Sequence, residues 1–323
     1  MIELNDKSAA AVWNAITPGS EVDMCSSPCR IVFRRDSHGA SSIVFVFHDQ
    51  LNIKLSESTG FEVDLAIQDG STTLTIKYLL QKEDEGLFYT FSGDLFQLAQ
   101  SCEGLSQMDC AQAVVERISA WQAFMKTTSR GLSSQSELGL YGELLVLRRI
   151  LESAGPLETL RGIWNGPLHG AHDFSLSNGR AIEVKTTLGD NPLRVKIDSI
   201  VQLDTSDCDR LLLVVVKLRE EESGMNLEEL RLSVRELLKS RTLQLDFDSL
   251  VLSLGYRSEN PGRELRRFSE EYMTSYFAES LPRIVPGSIR GVVSARYEIQ
   301  ITDEQGGSDE NYKQADLEQY LKE

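Results

Sequence analysis

The chain has 323 residues, with 33 Lys and Arg against 49 Asp and Glu and a formal net charge of −16. With 41% hydrophobic and 25% charged residues it has a globular composition, which excludes a disordered, collagen-like or membrane-embedded chain. The acid excess argues against a free-standing, high-affinity nucleic-acid binder, because Lys and Arg on phosphates supply most non-specific affinity.

Length predicts about two domains. Residues 1–130 are expected to form a β-rich N-terminal module closed by helices. Runs rich in β-branched and aromatic residues at 31–33, 42–47, 61–67 and 72–80 read as strands, with turn formers at 38–39, 58–60 and 69–70 between them. Residues 95–99 and 111–125 then repeat apolar positions at helical spacing (Val114, Ile118, Trp121, Met125). A linker is expected at 127–131. Ser134 and Glu137 match a capping box, so a helix is predicted from 134 to about 152, ahead of Gly155-Pro156.

Next come a loop at 164–167, two short strands around Ser177-Asn178-Gly179 and a strand at 193–197. The wholly apolar run 211–216 reads as a strand buried on both faces. A solvated linker is expected at 219–224, a charged helix at 227–239, and strands at 250–256 and 290–301. Tyr272, Tyr276 and Phe277 read as the core positions of a helix. Residues 303–323, with seven acidic and two basic residues, are expected to be an acidic mobile tail.

The longest apolar run is far short of the ~20 residues of a membrane span, so no membrane association is expected. The N-terminus lacks the basic and apolar regions of a secretory signal, and five cysteines argue against a disulfide framework. A cytoplasmic location follows as an expectation. Cys25 and Cys29 with His38 and His48 match none of the usual zinc spacings.

The chemistry concentrates at 171–187. Strand alternation sends Phe174 with Leu176, and Ile182 with Val184, to one side, and Asp173, Glu183 and Lys185 to the other. A two-residue turn at Asn178-Gly179 would set Asp173 opposite Val184 and split the acids. A three-residue loop with Gly179 in the left-handed region instead sets Asp173 opposite Glu183 and Phe174 opposite Ile182. Only the second register gives each face one character. Two carboxylates and an ammonium in a small sheet are expensive without a cation, and hard oxygen ligands favour Mg²⁺ or Mn²⁺. Lys185 can position the attacking water. On the preceding helix Glu143 shares a stripe with Gly139, Leu140, Val146 and Leu147, and Gly139 and Gly142 permit close backbone approach.

A Glu on a helix, then an Asp, then Glu-x-Lys after a short hairpin resembles the PD-(D/E)xK nuclease superfamily; here the motif reads His172-Asp173 … Glu183-Val184-Lys185. The stretches 139–144, 164–167, 172–174 and 181–187, with 199–204 and 281–284, are similar to a bacterial family of PD-(D/E)xK motif proteins from restriction and anti-phage gene clusters. The resemblance implies a mixed α/β (overall α+β) fold: a restriction-endonuclease-like αβββαβ core with a mixed sheet within a nuclease-like domain at 131–302. It implies that Asp173, Glu183 and the Val184 carbonyl bind metal, that Lys185 is the catalytic lysine and that Glu143 is an auxiliary acidic ligand. His172 stands where the motif has proline, a structural position.

The expected function is therefore Mg-dependent hydrolysis of DNA phosphodiester bonds in a restriction or phage-defence system, with DNA and other proteins of the gene cluster as partners and homo-oligomerisation open. The alternative is a non-catalytic or partner-activated subunit of a defence complex. The charge bears on both, since residues 1–130 carry −7 and the tail −5, leaving −4 for 131–302. Gln202 and Thr187, and the basic stretch Arg257, Arg263, Arg266 and Arg267, are secondary candidates for nucleic-acid contact, against an equal reading as polar strand-edge and solvated mixed-charge positions; for His169 and His172, near enough to the motif to touch metal or phosphate, a packing role is favoured.

Overall fold

A computed structural model describes residues 6–24, 28–53, 61–78, 85–127, 132–153, 157, 159–168, 170–189, 192–256, 266–302, 307 and 311–322. Cys25, His169, Arg257, Arg263, the 58–60 turn, the end of the 72–80 strand and most of the 127–131 linker lie outside these residues. The chain divides into two compact units: Met1–Ser129 with Asp248–Gly255, and Arg130–Phe247 with Tyr256–Glu323.

The first unit contains an antiparallel sheet ordered β1-β2-β3-β5-β4, built from β1 (Glu21–Asp23), β2 (Arg30–Arg35), β3 (Ser41–Phe47), β4 (Phe61–Gln68) and β5 (Ser71–Tyr78). Helices α1 (Asp6–Ala15), α2 (Glu85–Ser101) and α3 (Gln107–Thr127) accompany it. Aromatic rings knit its core. Trp13 stacks on Phe33 at 4.8 Å between centroids, Phe61 on Phe91 at 4.1 Å, and Trp121 meets Phe91 edge-on at 5.6 Å. The buried indole N–H groups donate to Ser92 Oγ and Asp94 Oδ2, both at 2.7 Å, so neither carries a desolvated donor.

The second unit is built on a mixed sheet ordered β12-β10-β9-β7-β6. Its strands are β6 (Phe174–Ser175), β7 (Arg180–Thr187), β9 (Arg210–Asn226), β10 (Arg267–Phe277) and β12 (Gln314–Ala315). Strands β7 and β9 run parallel with Glu183 opposite Leu213 and Lys185 opposite Val215. β8 (Arg194–Ile197) leaves this sheet to pair with β11 (Tyr297–Gln300), and the crossover from β7 to β9 runs through β8 and a tight turn at 199–203. The apolar residues of β8 and β11 share a core with Ala181, Leu211, Leu213 and Val215. Helices α4 (Ser134–Ser153), α5 (Leu227–Leu237) and α7 (Leu317–Lys322) complete the unit, and α6 (Arg241–Ser253) is divided between the two. The mixed α/β class is thus as read from the sequence. No helix among the described residues is long and apolar enough to cross a membrane.

Several elements depart from expectation. The acidic run 219–224 is not a linker: it continues β9, pairing Arg219 with Ser269 and Glu220 with Phe268, because its exposed side chains stay in water while its backbone joins the ladder. Gly224 lies where a side chain would meet the Phe268 backbone. Residues 250–253 end a helix, with Leu243, Phe247, Leu250 and Val251 on its buried side at helical spacing, rather than opening a strand. The aromatic run 272–277 is strand β10, since residues four apart share a face in strands as in helices. Of 290–301 only 297–300 is strand.

In the acidic tail, β12 pairs with β10 and α7 docks through Tyr320, which is 3% exposed. The Tyr320 hydroxyl donates to the Arg210 carbonyl at 2.8 Å, and Arg180 donates to the Tyr320 carbonyl and packs over its ring. One buried aromatic with satisfied polar ends anchors an otherwise polar segment. Arg266 and Arg267 are likewise not open for phosphate: they pair with Glu220 at 2.6 Å and Glu229 at 2.9 Å.

Candidate active site

Helix α4 starts at Ser134 as predicted, but its cap is Ser133 rather than Ser134: Ser133 Oγ accepts the Ser136 N–H at 3.0 Å, and Glu137 is buried. The helix lies close on β7 because Gly142 has no side chain. A Cβ there would overlap Thr186 Oγ1 and stand 3.0 Å from Thr186 Cβ. This approach delivers Glu143, on the next position, to the level of Glu183 and Lys185.

The β6–β7 hairpin adopts the three-residue register, with Phe174 opposite Ile182 and Ser175 opposite Ala181. Asn178 (φ 62°) and Gly179 (φ 67°) both take left-handed backbone, and the missing Cβ of Gly179 leaves room for the Asp209 carboxylate. Asp173 precedes β6. Its carbonyl accepts the Asn165 N–H at 2.7 Å, and its carboxylate Oδ2 accepts the Val184 N–H at 2.8 Å. The aspartate is thereby tied to the strand that carries Glu183 and Lys185.

Lys185 Nζ lies 3.0 Å from Glu183 Oε1 and donates at 3.0 Å to Gln202 Oε1, which also accepts the Asp198 N–H at 2.8 Å. Glu143 Oε2 accepts the indole N–H of the wholly buried Trp164 at 2.8 Å. Gly166 completes the cradle. A Cβ there would collide with Glu143 Oε2 and stand 3.3 Å from Asp173 Oδ1, so the two carboxylates border one small space.

Electrostatics follow from that crowding. Burial, then the neighbouring Asp173 charge, pushes the Glu143 carboxyl up to about 8, against the pull of the Trp164 hydrogen bond and Lys185. Burial raises Glu183 well above the usual carboxylate range, with Asp173 and Glu143 adding to it and Lys185 opposing. Asp173 is raised by burial, partly offset by the Val184 N–H and Lys185. Three acids against one ammonium cannot all ionise cheaply in a low-dielectric pocket; they must hold protons or a cation. Among the described residues no group of three His, Cys, Asp or Glu side chains is already placed to hold a metal ion. The donor set is nonetheless all hard carboxylate oxygen, which suits Mg²⁺ or Mn²⁺, and its excess negative charge is what such an ion would neutralise.

A model of the family described as "Putative PD-(D/E)XK family member, (DUF4420)" matches residues 3–302. The chain belongs to the DUF4420 family. Membership places it in a nuclease-like group, the superfamily that its motif resembles, whose nucleases generally use Mg²⁺. Neither a curated protein nor a solved structure matches the chain.

In this DUF4420 protein the structure brings Glu143, Asp173, Glu183 and Lys185 into one cluster, with the Val184 amide inside it. His172 stands apart. Its Nε2 meets the Asp204 carbonyl at 3.0 Å, and burial lowers its pKa, so the neutral ring serves as a donor to the backbone. Three contributors escaped sequence reasoning. Trp164 and Gly166 belong to a stretch that reads as a loop and as one of the family-like segments but carries no site role in the sequence, and Gln202 reads as a nucleic-acid candidate rather than as the partner of Lys185. An indole beside two turn formers just ahead of the motif Asp was the available signal for the first two.

Proposed function

We propose that this DUF4420 protein is a Mg²⁺-dependent endonuclease that hydrolyses DNA phosphodiester bonds, with the catalytic cluster in a nuclease-like domain at 131–302. The observation that carries the reading is the convergence of the buried Glu183 and the half-buried Glu143 and Asp173, all with raised pKa values, on a lysine that is itself held at two points. Asp173, Glu183 and the Val184 carbonyl would hold the ion, with Glu143 as the auxiliary acid. A bound Mg²⁺ would supply Lewis-acid activation of water and stabilise charge on the phosphate.

The chain's own residues do the rest. Glu183 and Gln202 fix the Lys185 ammonium, so it faces a developing oxyanion without first having to reorganise. The Val184 N–H and the Asn165 N–H hold Asp173 in place from its side chain and its backbone. Trp164 keeps one Glu143 oxygen engaged and, being buried, keeps water from that side.

A role in bacterial restriction or phage defence rests on the similarity of residues 139–144, 164–167 and 181–187 to proteins of such clusters. The charge of −16 favours delivery of DNA with the help of a partner protein from the same cluster, which is also what the subunit reading requires. The test is DNA cleavage by the full chain in Mg²⁺, alone and with proteins encoded beside it, compared with Lys185→Ala. Wild-type cleavage that EDTA and Lys185→Ala abolish is expected. Equal cleavage by Lys185→Ala removes the site, and no cleavage under any of these conditions leaves the non-catalytic subunit.

A further inference from the structure

Between β10 and β11 the chain forms a long loop, 281–296, that the catalytic cluster does not use. The stretch 281–297 contains three arginines and no acid, in a chain of net charge −16. Its root is tied to the site. Arg283 donates to the Leu203 carbonyl at 3.1 Å and reaches Thr205 Oγ1 at 3.3 Å, in the segment that also carries Gln202, the partner of Lys185. The Tyr297 hydroxyl accepts the Ile284 N–H at 3.1 Å and closes the base of the loop.

The tip is shaped rather than slack. Ser288 N–H bonds the Val285 carbonyl and Val292 N–H the Ile289 carbonyl, both at 3.1 Å, with Gly287 (φ 78°) and Gly291 (φ 85°) supplying the left-handed backbone of two successive turns. Those turns present Val293, 89% exposed, between the exposed Arg290 and Arg296 in the chain, with Ile289, 50% exposed, just ahead of Arg290. Neither arginine side chain makes an ion pair or hydrogen bond among the described residues. Elsewhere in this unit Arg149, Arg161, Arg219, Arg231, Arg266 and Arg267 are all paired with acids.

We propose that the 281–296 loop is the DNA-engaging element of the site, seated in a groove of duplex DNA with Arg290 and Arg296 on phosphates and Val293 against base edges. The assignment rests on the nuclease reading and deepens it. Charge complementarity selects the occupant. A duplex presents one negative charge per ~1.7 Å, and two uncommitted guanidiniums flanking an exposed aliphatic tip match phosphate rows on either side of a groove. The root contacts tie the loop to the segment that carries Gln202, the partner of Lys185, so a duplex held by the loop would be held by an element anchored beside the cluster.

The test measures binding apart from cleavage. Full-length protein is titrated onto a fluorescein-labelled DNA duplex in Ca²⁺ over a salt series, and anisotropy gives affinity and its salt slope. Arg290→Ala/Arg296→Ala is expected to bind at least ~10-fold more weakly and to lower the slope by about 2, the value for two lost phosphate contacts. Val293→Ala is expected to weaken binding with the slope unchanged. Thermal unfolding should be unaltered in both, since the three side chains are exposed and the two arginines make no ion pair or hydrogen bond among the described residues. Wild-type binding that the double substitution leaves unchanged overturns the loop assignment while the nuclease reading stands. Absence of wild-type binding at every salt concentration, both alone and with the proteins encoded beside it, overturns both. Unchanged DNA binding with lost co-purification of a protein encoded nearby assigns the loop to a protein partner instead.

Discussion

Glu143 offers a way to read the site's electrostatics without any cleavage assay. Its carboxyl is raised from 4.5 to about 8, chiefly by burial and then by Asp173. A raised pKa in the folded state means that the group's contribution to stability is complete below its unfolded pKa. That contribution is lost as pH climbs from about 4.5 through about 8. At about 1.4 kcal/mol per unit, the loss between pH 5 and pH 7.5 is about 3 kcal/mol as a ceiling. Glu143 keeps some solvent access, so about half of that is expected. Glu143→Gln keeps the Trp164 hydrogen bond and removes the charge. Urea unfolding in EDTA should therefore show wild type losing about 1.5 kcal/mol more than Glu143→Gln over this range, and excess Mg²⁺ at the upper pH should restore most of the difference. Parallel pH curves for the two proteins would refute the claim that this acid is confined with its neighbours.

Other substitutions probe separate supports. Lys185→Ala should lower Mg²⁺-dependent cleavage by at least ~100-fold in a protein that still folds, seen as intact far-UV circular dichroism. Gly166→Ala puts a methyl group onto Glu143 Oε2, and should abolish the Mg²⁺-induced rise in Tm without altering a ligand. Trp164→Phe removes a hydrogen bond to a carboxylate and should cost about 1.5–3 kcal/mol in urea unfolding near pH 8, and less near pH 5 where Glu143 is protonated. Tyr320→Ala should cost about 3 kcal/mol, whereas a mobile tail would register nothing.

What the sequence made legible follows from what is local. The β6–β7 register could be read because a one-residue slip would put Phe174 and Ile182 on opposite faces, so burial of one face selects a single pairing. The same alternation placed Glu183 and Lys185 on one side. Periodicity failed where helix and strand share a signal. Tyr272 and Tyr276 lie on one side in either element, and only the ladder to β9 decides for strand. It failed again at 219–224, where charge suggested solvent but the backbone pairs. Trp164 and Gln202 were missed because their partners, Glu143 and Lys185, lie 21 and 17 residues away, across turns whose path no local pattern records.

The central claim is that Asp173 and Glu183, with Glu143 and the Val184 carbonyl, form a divalent-metal site beside Lys185. A crystal soaked in Mn²⁺ and measured at the manganese edge tests it most directly. The account predicts an anomalous peak about 2.0–2.6 Å from Asp173 and Glu183 oxygens and from the Val184 carbonyl, with Lys185 Nζ still at hydrogen-bond distance from Gln202. A peak elsewhere, or none with Glu183 still paired to Lys185 at saturating Mn²⁺, would contradict it.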